Sequence, residues 1–129
     1  EAVRAGNLPM NLALLGYSTD DTRLAATGVD MLGRYFDNEL PEKIAAYDPH
    51  VILVPSIWPE TYCYVLSSAL ESGCRVAVFD LGAQADRTRE HGPGHIVFPL
   101  ELADRPAALV ASLLAAASSG DRDGMRAAA

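Results

Sequence analysis

A chain of 129 residues is long enough for one domain with its own hydrophobic core and too short for two. Half of its residues are apolar and 21% are charged, which excludes a disordered chain. The formal net charge of -7 makes its field repel polyanions, so nucleic acid and anionic membrane surfaces are poor partners. No apolar run approaches the ~20 residues of a transmembrane segment, and the opening EAVRAGNLPMN lacks a signal-peptide layout, so the reading is a cytoplasmic protein.

In chain order, residues 1–10 read as the end of a helix running into a first strand, so the chain is expected to start partway through a larger α/β unit. Five short apolar runs then alternate with amphipathic segments. The runs Leu12–Gly16, Val29–Tyr35, Val51–Val54, Val76–Phe79 and His95–Phe98 predict strands buried on both faces. Helices are predicted over Asp20–Thr27, through Leu40, Ile44 and Tyr47 with Asn38 as N-cap, and along Tyr62, Val65, Leu66, Ala69 and Leu70 with Gly73 as C-cap. Two more follow, over Gln84–Glu90 and through Leu109, Val110, Leu113, Leu114 and Ala117, the last opened by Asp104 as N-cap and Pro106 in its first turn. Strand and helix in alternation mean an α/β domain with a parallel sheet over residues 1–119, followed by a frayed tail over 120–129.

Ligands of open parallel sheets collect at the carboxyl ends of strands, where loops meet helix N-termini. Pro55-Ser56 ends the third strand, and the loop after it carries Trp58, Pro59 and Glu60 ahead of a helix start near Thr61. Free N–H groups of Tyr62, Cys63 and Tyr64, together with the helix macrodipole, suit a phosphate or diphosphate. On the residues alone, Glu60 either accepts hydrogen bonds from sugar hydroxyls or only favours the helix dipole.

Other chemistries find less support. Cys63 and Cys74 lie eleven positions apart without a CxxC, and with only His50, His91 and His95 beside them they read as buried thiols rather than a zinc or redox pair. The histidines read as surface or turn residues, Lys43 as a solvated helix residue, and Asp121-Arg122-Asp123 as part of a polar tail. Asp20-Asp21 stands where a phosphorelay receiver has its acidic pair, but Pro55-Ser56 replaces the aspartate such a domain needs. No GxSxG occurs.

The block WPETYCYVLSSALESG resembles the family 4-like (group 1) retaining glycosyltransferases of the glycosyltransferase B fold, most closely the bacterial subgroup whose loop reads Trp-Pro-Glu-Thr. In that family a Glu in the loop is followed, after seven residues, by a second on the helix, then a small-residue turn and a strand. Glu60 matches the first, and Gly73-Cys74-Arg75-Val76 matches the turn. Ser68 stands in place of the second Glu, whose carboxylate in the family holds the ribose hydroxyls, while Glu71 lies three residues on. The resemblance runs from about Asn11 to about Ala117. It implies the donor-binding, Rossmann-like domain, a three-layer sandwich with its first strand missing.

The resemblance also implies an activity and a site. The parent enzyme transfers a hexosyl unit from a nucleoside diphosphate sugar to a saccharide acceptor with retention, with no metal and no cofactor, in polysaccharide biosynthesis. Glu60 is the catalytic residue contacting the donor sugar, Tyr62, Cys63, Tyr64 and Val65 take the phosphate side, Ser68 the ribose, and Gly33, Arg34 and Tyr35 the base, with Gly16 also in the donor site. The family's basic Arg and Lys and its acceptor domain precede the part matched, so the chain alone is expected to be inactive. The missing central strand implies that Leu12–Gly16 and Val51–Val54 pair directly, or that exposed sheet edges form a homodimer. The alternative is a non-catalytic nucleotide-binding or assembly module of the same fold.

Overall fold

The structure is a computed structural model that describes residues 7–119. It is α/β with every strand pair parallel, as in Rossmann-like folds, and it divides into two compact units, Glu1–Leu40 and Pro41–Ala129. The residues expected to end a helix before the first strand, and the expected tail, fall largely outside the described residues.

In the first unit β1 (Ala13–Leu15) pairs with β2 (Asp30–Gly33) through α1 (Asp21–Ala26). Ala13 lies opposite Asp30 and Leu14 opposite Met31, and a one-residue shift then sets Leu15 against Gly33. Asp20 caps α1, its Oδ1 accepting the Arg23 N–H at 2.9 Å. The Ser18 N–H and hydroxyl both donate to Asp21 Oδ1, at 2.6 and 2.9 Å, and hold that carboxyl below its ordinary range.

The second unit orders its strands β3 (Val51–Val54), β4 (Arg75–Phe79) and β5 (Ile96–Phe98), each next to its successor. Helices α3 (Tyr64–Glu71) and α4 (Gly82–His91) make the two crossovers and touch each other, so they share a face of this sheet. The core beneath α3 is Val54, Cys63, Leu66, Ala69, Leu70, Val76 and Val78, with Ile52 and Val97 packed against it. α5 (Pro106–Ser118) packs on β3. Cys63 and Cys74 are both buried and free, as read from the sequence.

Four expectations are corrected. The strands make two sheets rather than one, Leu12–Gly16 giving a strand that pairs with β2 and Val51–Val54 one that pairs with β4. Asn38 is not an N-cap: a 3-10 turn, Asp37–Glu39, precedes α2 (Leu40–Tyr47), and its entry is closed by the Phe36 N–H donating to Glu39 Oε2 at 2.9 Å. Asp104 does not cap α5. Arg105 precedes a proline and is driven out of the helical region to φ -125, ψ 70, so it becomes the cap and leaves Asp104 in the preceding 3-10 turn, Leu100–Asp104. Finally, α3 begins at Tyr64, not Thr61, with Cys63 extended at its N-cap.

The turn histidines have a structural role at the start of β4. The Val76 N–H donates to His95 Nδ1 at 3.2 Å, which places the ring proton on Nε2, 3.1 Å from His91 Nδ1. A further proton on His95 would set two N–H groups against each other. Burial, then His91 on α4, then Arg75 on β4 hold the His95 pKa below its ordinary 6.5. The unfolded chain therefore binds more protons, so this contribution to stability is complete above about pH 6.5 and declines as the pH falls through that value toward the lower folded one. The urea midpoint should fall between about pH 7.5 and about pH 5.5, and His95→Gln should flatten that dependence. An equal slope in the variant would assign it to other groups.

Candidate functional site

The site grows from the carboxyl end of β3. Ser56 Oγ lies 2.7 Å from Glu60 Oε1 and 3.3 Å from the Trp58 carbonyl oxygen. A hydroxyl has one proton, and the shorter, charge-assisted contact takes it, so Ser56 fixes the Glu60 carboxylate. The buried Cys63 thiol stands beside the same carboxylate. Burial pushes its pKa up and the Glu60 charge reinforces that, while the Leu66 N–H facing the sulfur pulls the other way. Cys63 thus remains a neutral thiol, inert as a nucleophile.

With α3 starting at Tyr64, the amides of its first turn are those of Tyr64, Val65 and Leu66, and the Tyr62 N–H lies ahead of the helix. Tyr62 and Tyr64 meet edge to face, ring centroids 4.8 Å apart, and both are at least half exposed, as is Trp58. Ser68 lies one turn after Tyr64 on the same helix face and is half-buried. Glu71 is exposed at the end of the helix.

Arg87 of α4 reaches this place, a role that sequence reasoning did not give it. Its Nη1 donates to the Cys63 carbonyl at 2.9 Å, its Nη2 to Ser67 Oγ at 2.7 Å, and its Cζ sits 4.2 Å from the centroid of the Tyr62 ring. A guanidinium against the first turn of a helix opposes the helix dipole. The two hydrogen bonds and the stacking hold it there, and two sources of positive charge meet at one spot of a chain whose net charge is -7.

The remaining predicted residues form a second group within the first unit. Gly16 and Gly33 close the ends of β1 and β2, with the Gly16 N–H donating to the Gly33 carbonyl at 2.9 Å. Arg34 places its Cζ 4.1 Å from the centroid of the Tyr17 ring, and Tyr35 beside it is half-buried. Among the described residues, no group of three or more His, Cys, Asp or Glu comes together to hold a metal ion, and no helix is long and apolar enough to cross a membrane.

Sequence reasoning missed Gln84 as well as Arg87. Gln84 and Thr88, one turn apart, are the buried stripe of α4 together with Ala85, so that helix turns a largely polar face inward. The available signal was a segment in chain order between two buried strands whose i, i+4 positions are polar rather than apolar. Compared with known proteins, the chain matches no family model, and no curated protein and no solved structure matches it.

Proposed function

We propose that the chain binds a nucleoside diphosphate sugar, as the donor-binding part of a retaining glycosyltransferase that moves a hexosyl unit to a saccharide acceptor. The observation that carries the reading is Arg87, held against the dipole at the first turn of α3 and one loop from an oriented carboxylate. A fixed cation beside helix amides suits a diphosphate. A carboxylate with one oxygen already engaged keeps acceptor capacity for sugar hydroxyls. Glu60 then contacts the sugar, the Tyr64 and Val65 amides with Arg87 hold the phosphates, and Ser68 faces the ribose. Sequence resemblance through WPETYCYVLSSALESG supports the same roles.

Calorimetric titration tests this. The chain should bind a nucleoside diphosphate sugar more weakly than about 10 μM, roughly -7 kcal/mol. Glu60→Gln should cost that ligand about tenfold, or ~1.4 kcal/mol, and leave the sugar-free nucleoside diphosphate unchanged. Binding that ignores the Glu60 change removes the sugar contact. No binding of either ligand at millimolar concentration removes the reading.

A further inference from the structure

Gln84 is entirely buried, two positions into α4, and both hydrogen-bond contacts of its amide nitrogen go to the loop that carries Glu60. Its Nε2 lies 3.5 Å from the Ser56 carbonyl oxygen and 3.5 Å from that of Trp58. Its neighbour Ala83 donates its N–H to the Glu60 carbonyl at 3.4 Å. Gly82 completes the seam, because a Cβ there would stand 3.3 Å from Pro59 Cα and 3.5 Å from the Glu60 nitrogen. With φ +59, Gly82 also holds a conformation that side chains disfavour, so this position keeps the loop and the helix in close approach.

A buried primary amide offers two donors and two lone pairs. Here the donor contacts are at the long limit of hydrogen bonding and Oε1 has no partner among the described residues. An apolar side chain of the same size would fill the space without the desolvation cost, but would lose both amide contacts to the loop carbonyls. The division of labour is then plain: Ser56 aims the Glu60 carboxylate, and the α4 start fixes the backbone that carries it.

We infer that Gln84 is the positioning residue of this site, its amide latching the Ser56–Glu60 loop to α4 so that Glu60 meets the donor sugar. The inference rests on the proposed role of Glu60. The latch itself can be read without any ligand, because Trp58 lies in the loop and is the only tryptophan of the chain.

The experiment uses the full chain, with Gln84→Met, which keeps volume and loses the amide, and Gln84→Glu. In Gln84→Met, folded by circular dichroism, the fast component of the time-resolved Trp58 anisotropy should grow about twofold, the signature of a released loop. Calorimetry should show affinity for a nucleoside diphosphate sugar falling about fivefold while the sugar-free nucleoside diphosphate stays within about twofold, a split that a general loss of structure does not produce. In Gln84→Glu the protonated acid can still donate to the carbonyls and the carboxylate repels them, so Trp58 motion should rise with pH where the wild type is flat. Unchanged Trp58 motion in the Met variant, or no pH response in the Glu variant, overturns the latch. A wild-type chain that binds no nucleotide removes the proposed function, and the two anisotropy measurements still decide the latch. A released loop with sugar affinity intact overturns the positioning role.

Discussion

Leu66→Ala is expected to cost about 3–5 kcal/mol of stability, a large share of what a chain of this size has in total. Leu66 is wholly inaccessible to solvent and sits in the third position of α3, among Val54, Ala69, Val76 and Val78. Truncation removes buried methyl groups and leaves a cavity between helix and sheet, which two strands fixed by parallel pairing on both sides of β4 cannot collapse to fill. Val65, the preceding residue, is 39% exposed, and Val65→Ala should cost under about 1 kcal/mol. Urea denaturation of both variants measures the contrast. A loss below about 1.5 kcal/mol for Leu66→Ala would mean that α3 does not carry the core.

The second large effect is on binding. Arg87→Met should weaken nucleoside diphosphate affinity by about ten- to a hundredfold, ~1.4–2.8 kcal/mol, the loss of a charge-assisted contact to phosphate. Arg87→Lys should recover little of it. Lysine presents a point charge and cannot serve the Cys63 carbonyl and Ser67 Oγ at once as the guanidinium fork does. Stability should move less than binding, because losing the two hydrogen bonds is partly offset by relieving a cation that opposes the α3 dipole. Titration of the three proteins with one nucleoside diphosphate, at fixed ionic strength, gives the comparison. Equal affinities would place the phosphates elsewhere.

The strands were legible as short apolar runs between turn residues. Only β4 is buried nearly throughout, β1 being half-buried and β2 exposed at Asp30 and Gly33, so the expected burial on both faces does not hold for those two. All five readings overlap the observed elements, with no end off by more than two residues and the largest shift at Tyr35. The site loop was legible for a different reason, the fixed order of strand end, proline, carboxylate and helix. What sequence periodicity could not carry was the partnership across elements. α4 buries Gln84 and Thr88, whose polar atoms turn toward the Ser56–Trp58 loop and the helix's own backbone, and an apolar pattern is blind to such a face. The helix starts were misplaced where a local backbone rule competes with side-chain capping, as with the proline that displaces Asp104 from the cap of α5. Two separate sheets replaced one because pairing depends on which strands meet, and the pattern within a strand does not encode its neighbour.

Arg75 begins β4, yet its guanidinium donates to the Ala116 carbonyl and reaches Ser119 Oγ at 3.4 Å, at the far end of α5. That pairing spans 41 residues of chain. During synthesis at about 5–20 residues per second, its two halves leave the ribosome about 2–8 s apart. β3, β4 and β5 are consecutive neighbours and can assemble within that interval, whereas the cation at the β4 start must wait for the last turn of α5. From the emergence of Phe98 at the end of β5 to that of Ala116, about 1–4 s at the same rate, the sheet exists with an unanswered arginine and an uncovered β3 face, the state in which a nascent chain is most open to a chaperone or to the same strand of its neighbour on the polysome.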